Sequence, residues 1–414
     1  MLEYIIPGTY WDFEAPTEVF LAKLGGFDKR PELAVFHNLP SGGGINASKI
    51  LIQGLMDKFL VTVHSPEGSY PLSLPVRSRR WSFPLSRRIS GIRRLAAPVI
   101  LPARLKAFDQ LCRRIAAEIN MSADIVLVHN SMYLAAPPLL RYLNVPSLYF
   151  CYEYPRHLYE PALVKRTRNR FFHMLLRHLR KIERIRDREA TLSADKVVTL
   201  SSWMKKRLRD IYGIEASVVR PGIDTDFFRA DETTEKSNTV LSVGALWPFK
   251  GHEMAIETVS LVKQNIRPAL VIVADREYPG YNERLRKSAI DRGVDLILRR
   301  GVSNEELRTL YRKSKVVLCC QHDEPYGLVP LEAMSCGVPV IAVEEGGFVD
   351  NIRSGENGIL VKRDAAEMAA VLSRILTDRQ YEKDLIDGGR KFVSVRSAAE
   401  GVKNLAYILD GMLH

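Results

Sequence analysis

Short apolar runs rich in β-branched residues alternate along the chain with amphipathic stretches of helical length. Leu33–Asn38, Val61–His64, Ile125–His129, Ser147–Cys151 and Val197–Ser201 form one series of expected strands. Val240–Gly244, Leu270–Ala274, Leu296–Leu298, Val316–Cys319 and Val338–Val343 form a second. These runs are mostly apolar at successive positions, which marks strands covered on both faces. Between them lie expected helices such as Ser48–Phe59, Glu253–Gln264, Tyr281–Arg292 and Glu305–Lys313. Strands separated by helices predict an α/β class with parallel sheets between helical layers. Two series predict two Rossmann-like, doubly wound domains.

The series break in residues 220–238, where Arg-Pro-Gly opens a polar, acidic stretch without apolar period. The expected organisation is an N-terminal extension over 1–31, one domain over 32–220 and another over 221–395. A C-terminal helix over 396–414 can pack back on the first domain. No internal repeat or low-complexity segment appears.

Composition changes this picture little. With 46% hydrophobic and 26% charged residues, the 414-residue chain is neither disordered nor collagen-like nor a disulfide scaffold. Its five cysteines, Cys112, Cys151, Cys319, Cys320 and Cys336, are odd in number and lack Cys-x-x-Cys spacing. They read as buried reduced thiols of a cytosolic protein and not as metal ligands. The first residues, MLEYIIPGTYWDFEAP, lack a basic n-region and a long apolar stretch, so no signal peptide is expected. No run approaches 18 apolar residues, so no bilayer span is expected either.

Charge changes it more. The net charge is +12, and all of it falls in residues 1–200, which hold 29 basic against 17 acidic residues. Residues 201–414 hold 31 of each. Such asymmetry predicts that one half meets a polyanion.

The densest chemistry lies in HDEPYGLVPLEAMSCGVPVIAVEEGG, residues 322–347. A strand ends near Cys320, a loop carries Glu324, Gly327 opens a helix containing Glu332, and Cys336-Gly337 closes it. Backbone amides of Gly327, Leu328 and Val329 would form a helix N-terminus, a ready anion site. A carboxylate suits sugar hydroxyls because it accepts two hydrogen bonds. Glutamates at helix starts are also what the macrodipole favours with no ligand at all.

The whole string closely resembles the signature of glycosyltransferase family 4: Glu-x7-Glu, a Cys-Gly-x-Pro-Val strand and a Gly-Gly loop. Glu324, Pro325, Gly327, Glu332, Ala333, Met334, Gly337, Pro339, Val340, Gly346 and Gly347 match it. VGALWPFKGH, residues 243–252, resembles the family's loop after the first strand of the C-terminal domain. It includes Gly244, with Lys250 in the place of a basic residue that contacts the donor diphosphate. Relatives often carry Arg after the first Gly, where this chain has Ala245. RRGVSNEELRTLYRKS, residues 299–314, resembles the segment whose backbone reads the nucleobase, with Arg300, Gly301 and Val302 as the expected contacts. Residues 200–228 resemble the family's interdomain join, and LAVFHNLPSGGGINAS, residues 33–48, its first strand and glycine-rich loop. The resemblance covers about residues 32–395.

The resemblance implies the GT-B fold, two Rossmann-like domains facing across a cleft. It implies retaining, metal-independent transfer of a hexosyl group from a nucleotide-diphosphate sugar to an acceptor hydroxyl, with no cofactor. The C-terminal domain would bind the donor, with Glu324 on the sugar hydroxyls, Glu332 on the ribose, and Lys250 and helix dipoles on the leaving diphosphate. The N-terminal domain would bind the acceptor, and Gly43 and Gly44 of the glycine loop, Asn130, Glu153 and Arg156 are the candidates to contact the acceptor or a phosphate. His129 ends a strand where a Rossmann domain presents groups to its cleft, and is a third catalytic candidate. In YFCYEYPRHLYEP, residues 149–161, Glu153, Pro155 and Arg156 match a family stretch, whereas Tyr152 stands where the family has His.

Two segments hold most of the charge. Residues 77–114 contain eleven Lys and Arg against one acid, interleaved with Trp81, Phe83, Leu85, Ile89 and Ile92. Residues 156–188 contain eleven against three. They predict contact with an anionic membrane surface and a lipid-linked or otherwise anionic glycan acceptor. The expected location is cytoplasmic, peripheral to the inner face of a membrane. No nucleic-acid motif accompanies the charge. A soluble sugar or sugar-phosphate acceptor, a silent nucleotide-sugar-binding protein and a GT-B epimerase are the alternatives.

Overall fold

The computed structural model describes residues 30–83, 97–160 and 170–414. Leu85, Ile89, Ile92 and nearly all of the expected N-terminal extension lie outside the described residues. The first sheet contains β1 (Glu32–Asn38), β2 (Leu60–Pro66), β3 (Arg77–Trp81), β4 (Ile125–Ser131), β5 (Ser147–Cys151), β6 (Lys196–Thr199) and β7 (Ser217–Val218). Their order is β3-β2-β1-β4-β5-β6-β7, and every pairing is parallel. Helices α1 (Gly43–Leu55), α2 (Ala97–Ser122), α3 (Arg156–Tyr159), α4 (Arg170–Leu192) and α5 (Ser202–Tyr212) belong to this part of the chain.

The second sheet contains β8 (Thr239–Val243), β9 (Ala269–Ala274), β10 (Leu296–Arg300), β11 (Val316–Cys319), β12 (Val340–Val343) and β13 (Ile359–Val361). It is parallel throughout, in the order β10-β9-β8-β11-β12-β13. Around it run α6 (His252–Leu261), α7 (Tyr281–Asp291), α8 (Asn304–Lys313), α9 (Leu328–Ser335), α10 (Phe348–Asn351), α11 (Ala365–Thr377) and α12 (Arg379–Ser394). α13 (Ala398–Leu413) returns to the first sheet's layer. There Leu405, Ala406 and Leu409 are buried, Gly54 of α1 lies against Val402, and Lys58 pairs with Asp410 at 3.4 Å.

Every residue of β5, β11 and β12 is buried, as their unbroken apolar runs require. A parallel strand between two helical layers has no wet face, and each buried Val, Leu or Ile contributes about 1.5–3 kcal/mol. All five cysteines are buried and unpaired.

Two elements depart from the expected pattern. α1 begins at Gly43, five residues before the expected start, because its buried stripe of Ile45, Ser48, Ile52 and Leu55 continues upstream of Ser48. β3 is absent from the expected strands because RSRRW is almost wholly exposed, an edge strand with cationic side chains. Lysine and arginine on an edge discourage pairing with another chain. Trp81 and Phe83, expected as membrane contacts, turn inward instead. Trp81 is half-buried, its indole N–H donating to His64 Nδ1 at 3.4 Å. Phe83 is buried against Phe108 and Tyr133.

Candidate functional site

A cavity of about 1110 Å³ lies between the carboxyl ends of the two sheets. It receives the loops after β1, β4 and β5 on one side and those after β8, β9 and β11 on the other. In each sheet the strands flanking the reversal of order, β1 with β4 and β8 with β11, contribute loops to it. An open parallel sheet leaves its crevice at such a reversal, because successive crossovers diverge there.

The loops after β8 and β11 bring together the two strongest candidates. Gly251 has φ 71°, and a Cβ there would run into the carbonyl of Cys320. This close approach seats the turn Pro248–Lys250 against the end of β11. Lys250 Nζ donates to Glu324 Oε2 at 2.7 Å. Burial pushes the ammonium pKa down, but the charge and hydrogen bond of Glu324, with the charge of Glu153, carry it above its ordinary value. The Gly346-Gly347 loop fixes Glu324 from behind. Gly347 N donates to the Glu324 carbonyl at 2.6 Å, and a Cβ on Gly346 would strike the Glu324 backbone.

Glu332 sits in the second turn of α9, where Tyr311 O–H donates to its Oε2 at 2.7 Å. Burial lifts its carboxyl pKa to about 6, against the pull of that hydrogen bond. Gly327, Leu328 and Val329 line the cavity beside it. The first amides of a helix have no intrahelical acceptor, so this end offers donors and a positive dipole to an anion. Gly244, Gly301 and Val302 line the same wall. Arg300 does not; its guanidinium pairs with Glu277 at 2.7 Å. The contact expected of it is through the backbone, which this side-chain pair does not decide.

The opposite wall is different in kind. Gly43 and Gly44 line it, with Gly43 close to Leu328 of the first wall. His129, expected in catalysis, is fully buried and is not a lining residue. Its Nδ1 meets the Tyr152 hydroxyl at 3.0 Å, and burial first, with His37, lowers its pKa to about 3. It is a neutral structural group behind Tyr152, which fills the place where the family has His.

Asn130 lines the cavity but spends its amide on the backbone. Nδ2 donates to the Glu153 carbonyl at 2.8 Å, and Oδ1 accepts from Tyr152 N at 2.7 Å. It is a positioning residue for Glu153, not a free ligand contact. Arg156 is committed as well. Its Nε and Nη2 donate to the two Glu160 oxygens, each at 2.9 Å, and its Nη1 donates to the His322 carbonyl at 3.0 Å. It clamps one half of the molecule to the other while lining the cavity, so a guanidinium expected at an acceptor or phosphate is already engaged by a carboxylate. Glu153 makes no side-chain hydrogen bond among the described residues and faces the cavity. Protein burial first, and Glu324 further, raise its carboxyl pKa, while Lys250 opposes them.

Residues outside the expected set complete the wall. Trp247 packs against Tyr278 and Phe249, ring centroids 5.3 and 5.8 Å apart. Asp275 and Arg276 follow β9, and Ser41 Oγ donates to Asp275 Oδ2 at 3.1 Å across the cavity. The signal for them was present as a charged dipeptide ending the apolar run Val-Ile-Val-Ala. Among the described residues no cluster of His, Cys, Asp and Glu is placed to hold a metal ion.

The family model for glycosyl transferases group 1 matches residues 224–392. The model for Glycosyltransferase Family 4 matches residues 42–227. The chain belongs to glycosyltransferase family 4. Its similarity to a D-inositol 3-phosphate glycosyltransferase of Acidothermus cellulolyticus is 31% identity, over 49% of this chain and 50% of that protein. It is 29% identical to a GDP-mannose-dependent alpha-(1-6)-phosphatidylinositol monomannoside mannosyltransferase of Mycobacterium tuberculosis, over 49% of this chain and 58% of that one. The chain thus spans about half the length of the curated relatives it matches. The crystal structure of Anabaena HepE in complex with UDP-glucose superposes with a TM-score of 0.71 at 14% identity, covering 92% of this chain and all of that one.

That likeness establishes the GT-B fold for this family 4 member. The loops that carry Lys250 and Glu324 and the helix that starts at Leu328 lie within the matched group 1 segment, and the glycine loop and Glu153 within the family 4 segment. The cavity is therefore assembled from both matched regions.

Proposed function

We propose that this family 4 glycosyltransferase transfers a hexosyl group, with retention and without a metal, from a nucleotide-diphosphate sugar to an acceptor hydroxyl. The observation that carries the reading is the convergence of Lys250, Glu324, Glu332 and the amino end of α9 on one cavity wall. Glu332 accepts from the ribose. The amides of Leu328 and Val329 hold phosphate oxygens, and Glu324 accepts from sugar hydroxyls. Lys250 exchanges Glu324 for the leaving diphosphate, whose developing charge it neutralises together with the helix end. Glu153, held by Asn130, receives the acceptor hydroxyl from the facing wall.

The acceptor in this reading is anionic or lipid-linked and reached from a membrane surface, peripheral to the cytoplasmic face. The support is α4. Its buried stripe of Leu179, Glu183, Asp187 and Ala190 faces the protein. Arg177, Lys181, Arg184 and Arg188 recur at helical spacing on the exposed side. Met174 and Ile185 are exposed among them. A basic exposed face with apolar residues suits an anionic bilayer. Among the described residues no helix is long and apolar enough to cross a membrane. Relatives named for inositol phosphate and phosphatidylinositol mannoside point to the same acceptor chemistry.

The test is transfer from a panel of UDP-, GDP- and ADP-sugars to sugar-phosphate and lipid-linked acceptors, comparing wild type with Glu324→Gln. Turnover by wild type that falls steeply in the variant supports the reading. A folded wild type that neither binds nor turns over any donor would sink it.

A further inference from the structure

We propose that Arg276 is the second cation of the donor diphosphate subsite, an inference that rests on the function proposed above. A nucleoside diphosphate brings at least two negative charges at neutral pH. Among the described residues, three arginine or lysine side chains line the cavity: Arg156, Lys250 and Arg276. The Lys250 charge is already matched by Glu324 at 2.7 Å. Arg156 is held by both oxygens of Glu160, with Asp323 at 3.6 Å. Arg276 touches one carboxylate, that of its neighbour Asp275, through Nε at 3.2 Å. Asp275 is itself shared with Ser41 of the opposite wall. Among the described residues no carboxylate takes the terminal nitrogens of Arg276, which leaves them to a ligand.

Its placement is fixed by the backbone. Leu246 N donates to the Arg276 carbonyl, and Tyr278 N to the Leu246 carbonyl, both at 2.8 Å. This parallel bridge pairs Leu246 with Glu277, so Ala245 and Arg276 stand at matching positions, one residue earlier on each segment. The uncharged end of the β8 loop is thus flanked by an arginine from the neighbouring strand. Nη2 of Arg276 lies 3.3 Å from where a Cβ on Gly42 would stand, so the guanidinium reaches the glycine loop. It is near enough to Lys250 for its charge to oppose that ammonium. Two cations held together without a shared anion repel, and a diphosphate between them removes that repulsion. The planar fork of arginine also matches phosphate oxygens in pairs.

The test is calorimetric titration of wild type, Arg276→Ala, Arg276→Lys and Lys250→Ala with UDP, GDP and ADP. The matching monophosphates and a sugar phosphate serve as comparison ligands. Arg276→Ala is expected to weaken the preferred diphosphate about tenfold or more and its monophosphate less than about threefold. Arg276→Lys is expected to fall between, keeping charge without the fork. Equal weakening of mono- and diphosphate would overturn the proposal, since it indicates a structural role. So would weakening of the sugar phosphate alone, which assigns the cation to the acceptor. Diphosphate affinity that drops in Lys250→Ala but not in Arg276→Ala overturns the Arg276 assignment and leaves the donor site standing. A wild type that binds none of the diphosphates overturns the functional reading itself.

Discussion

The two walls of the cavity use polar side chains in opposite ways. On the wall proposed to hold the donor, Lys250, Glu324 and Glu332 face the cavity, and the protein holds them by one contact each or from behind. On the facing wall Asn130 and Arg156, with His129 buried behind it, are spent on the protein itself, and Glu153 is left as the unengaged carboxylate among the described residues. In the proposed function the first wall binds fixed charge, and the second presents a backbone shape and one hydrogen-bond acceptor. A constant donor with an acceptor defined by surface and charge would favour that division.

The comparison breaks first at Glu324. Glu324→Gln is expected to lower kcat by about 10²–10³-fold, or 2.7–4 kcal/mol of transition-state stabilisation, with the thermal midpoint little changed. A steady-state assay that finds less than about a threefold loss removes the donor wall from the chemistry. The next largest effect concerns the basic half. Reversing Arg177, Lys181 and Arg184 to Glu is expected to weaken binding to anionic vesicles by about 100-fold or more, at about 1 kcal/mol per cation. Flotation would show this, and nucleotide affinity would stay constant. Vesicle binding that survives the triple variant would detach the charge asymmetry from membranes.

Asn130→Ala sharpens the other wall. Losing the two bonds to residues 152–153 is expected to raise the acceptor KM about tenfold and leave donor Kd within about twofold. A parallel rise in donor Kd would mean that the walls are not separable. The smallest effect is a pH dependence. Glu332, with its carboxyl near 6, is protonated as pH falls from 7 to 5 and loses acceptor capacity for the ribose. Donor affinity is expected to drop several-fold over that range, and Glu332→Gln to flatten it. The sign for stability is opposite. The folded state holds the proton more tightly than the unfolded one, so stability falls as pH rises from about 4.5 to about 6, by at most about 2 kcal/mol.

Most of the strands and the residues of the proposed donor wall were legible because both are written in contiguous residues. Short, β-branched apolar runs favour a buried strand, and Glu324, Glu332 and the Gly-Gly loop lie within 24 residues of one another. The rest depended on partners far apart in sequence. Nothing near His129 says that Tyr152 will cover it, and Arg156 needs both Glu160 and the His322 carbonyl before its role changes from ligand contact to clamp. β3 escaped because an exposed edge strand carries no apolar pattern. Arg276 escaped because its meaning lies in a bridge to Leu246, 31 positions away from Glu277.

Hydrogen exchange with a nucleotide-diphosphate sugar added before acceptor tests the division of the cavity most directly. Slowed exchange is expected in residues 243–252 and 322–332, with residues 129–156 unchanged until acceptor is present. Protection that appears first in residues 129–156, with the Lys250 and Glu324 loops unaffected, would contradict the account.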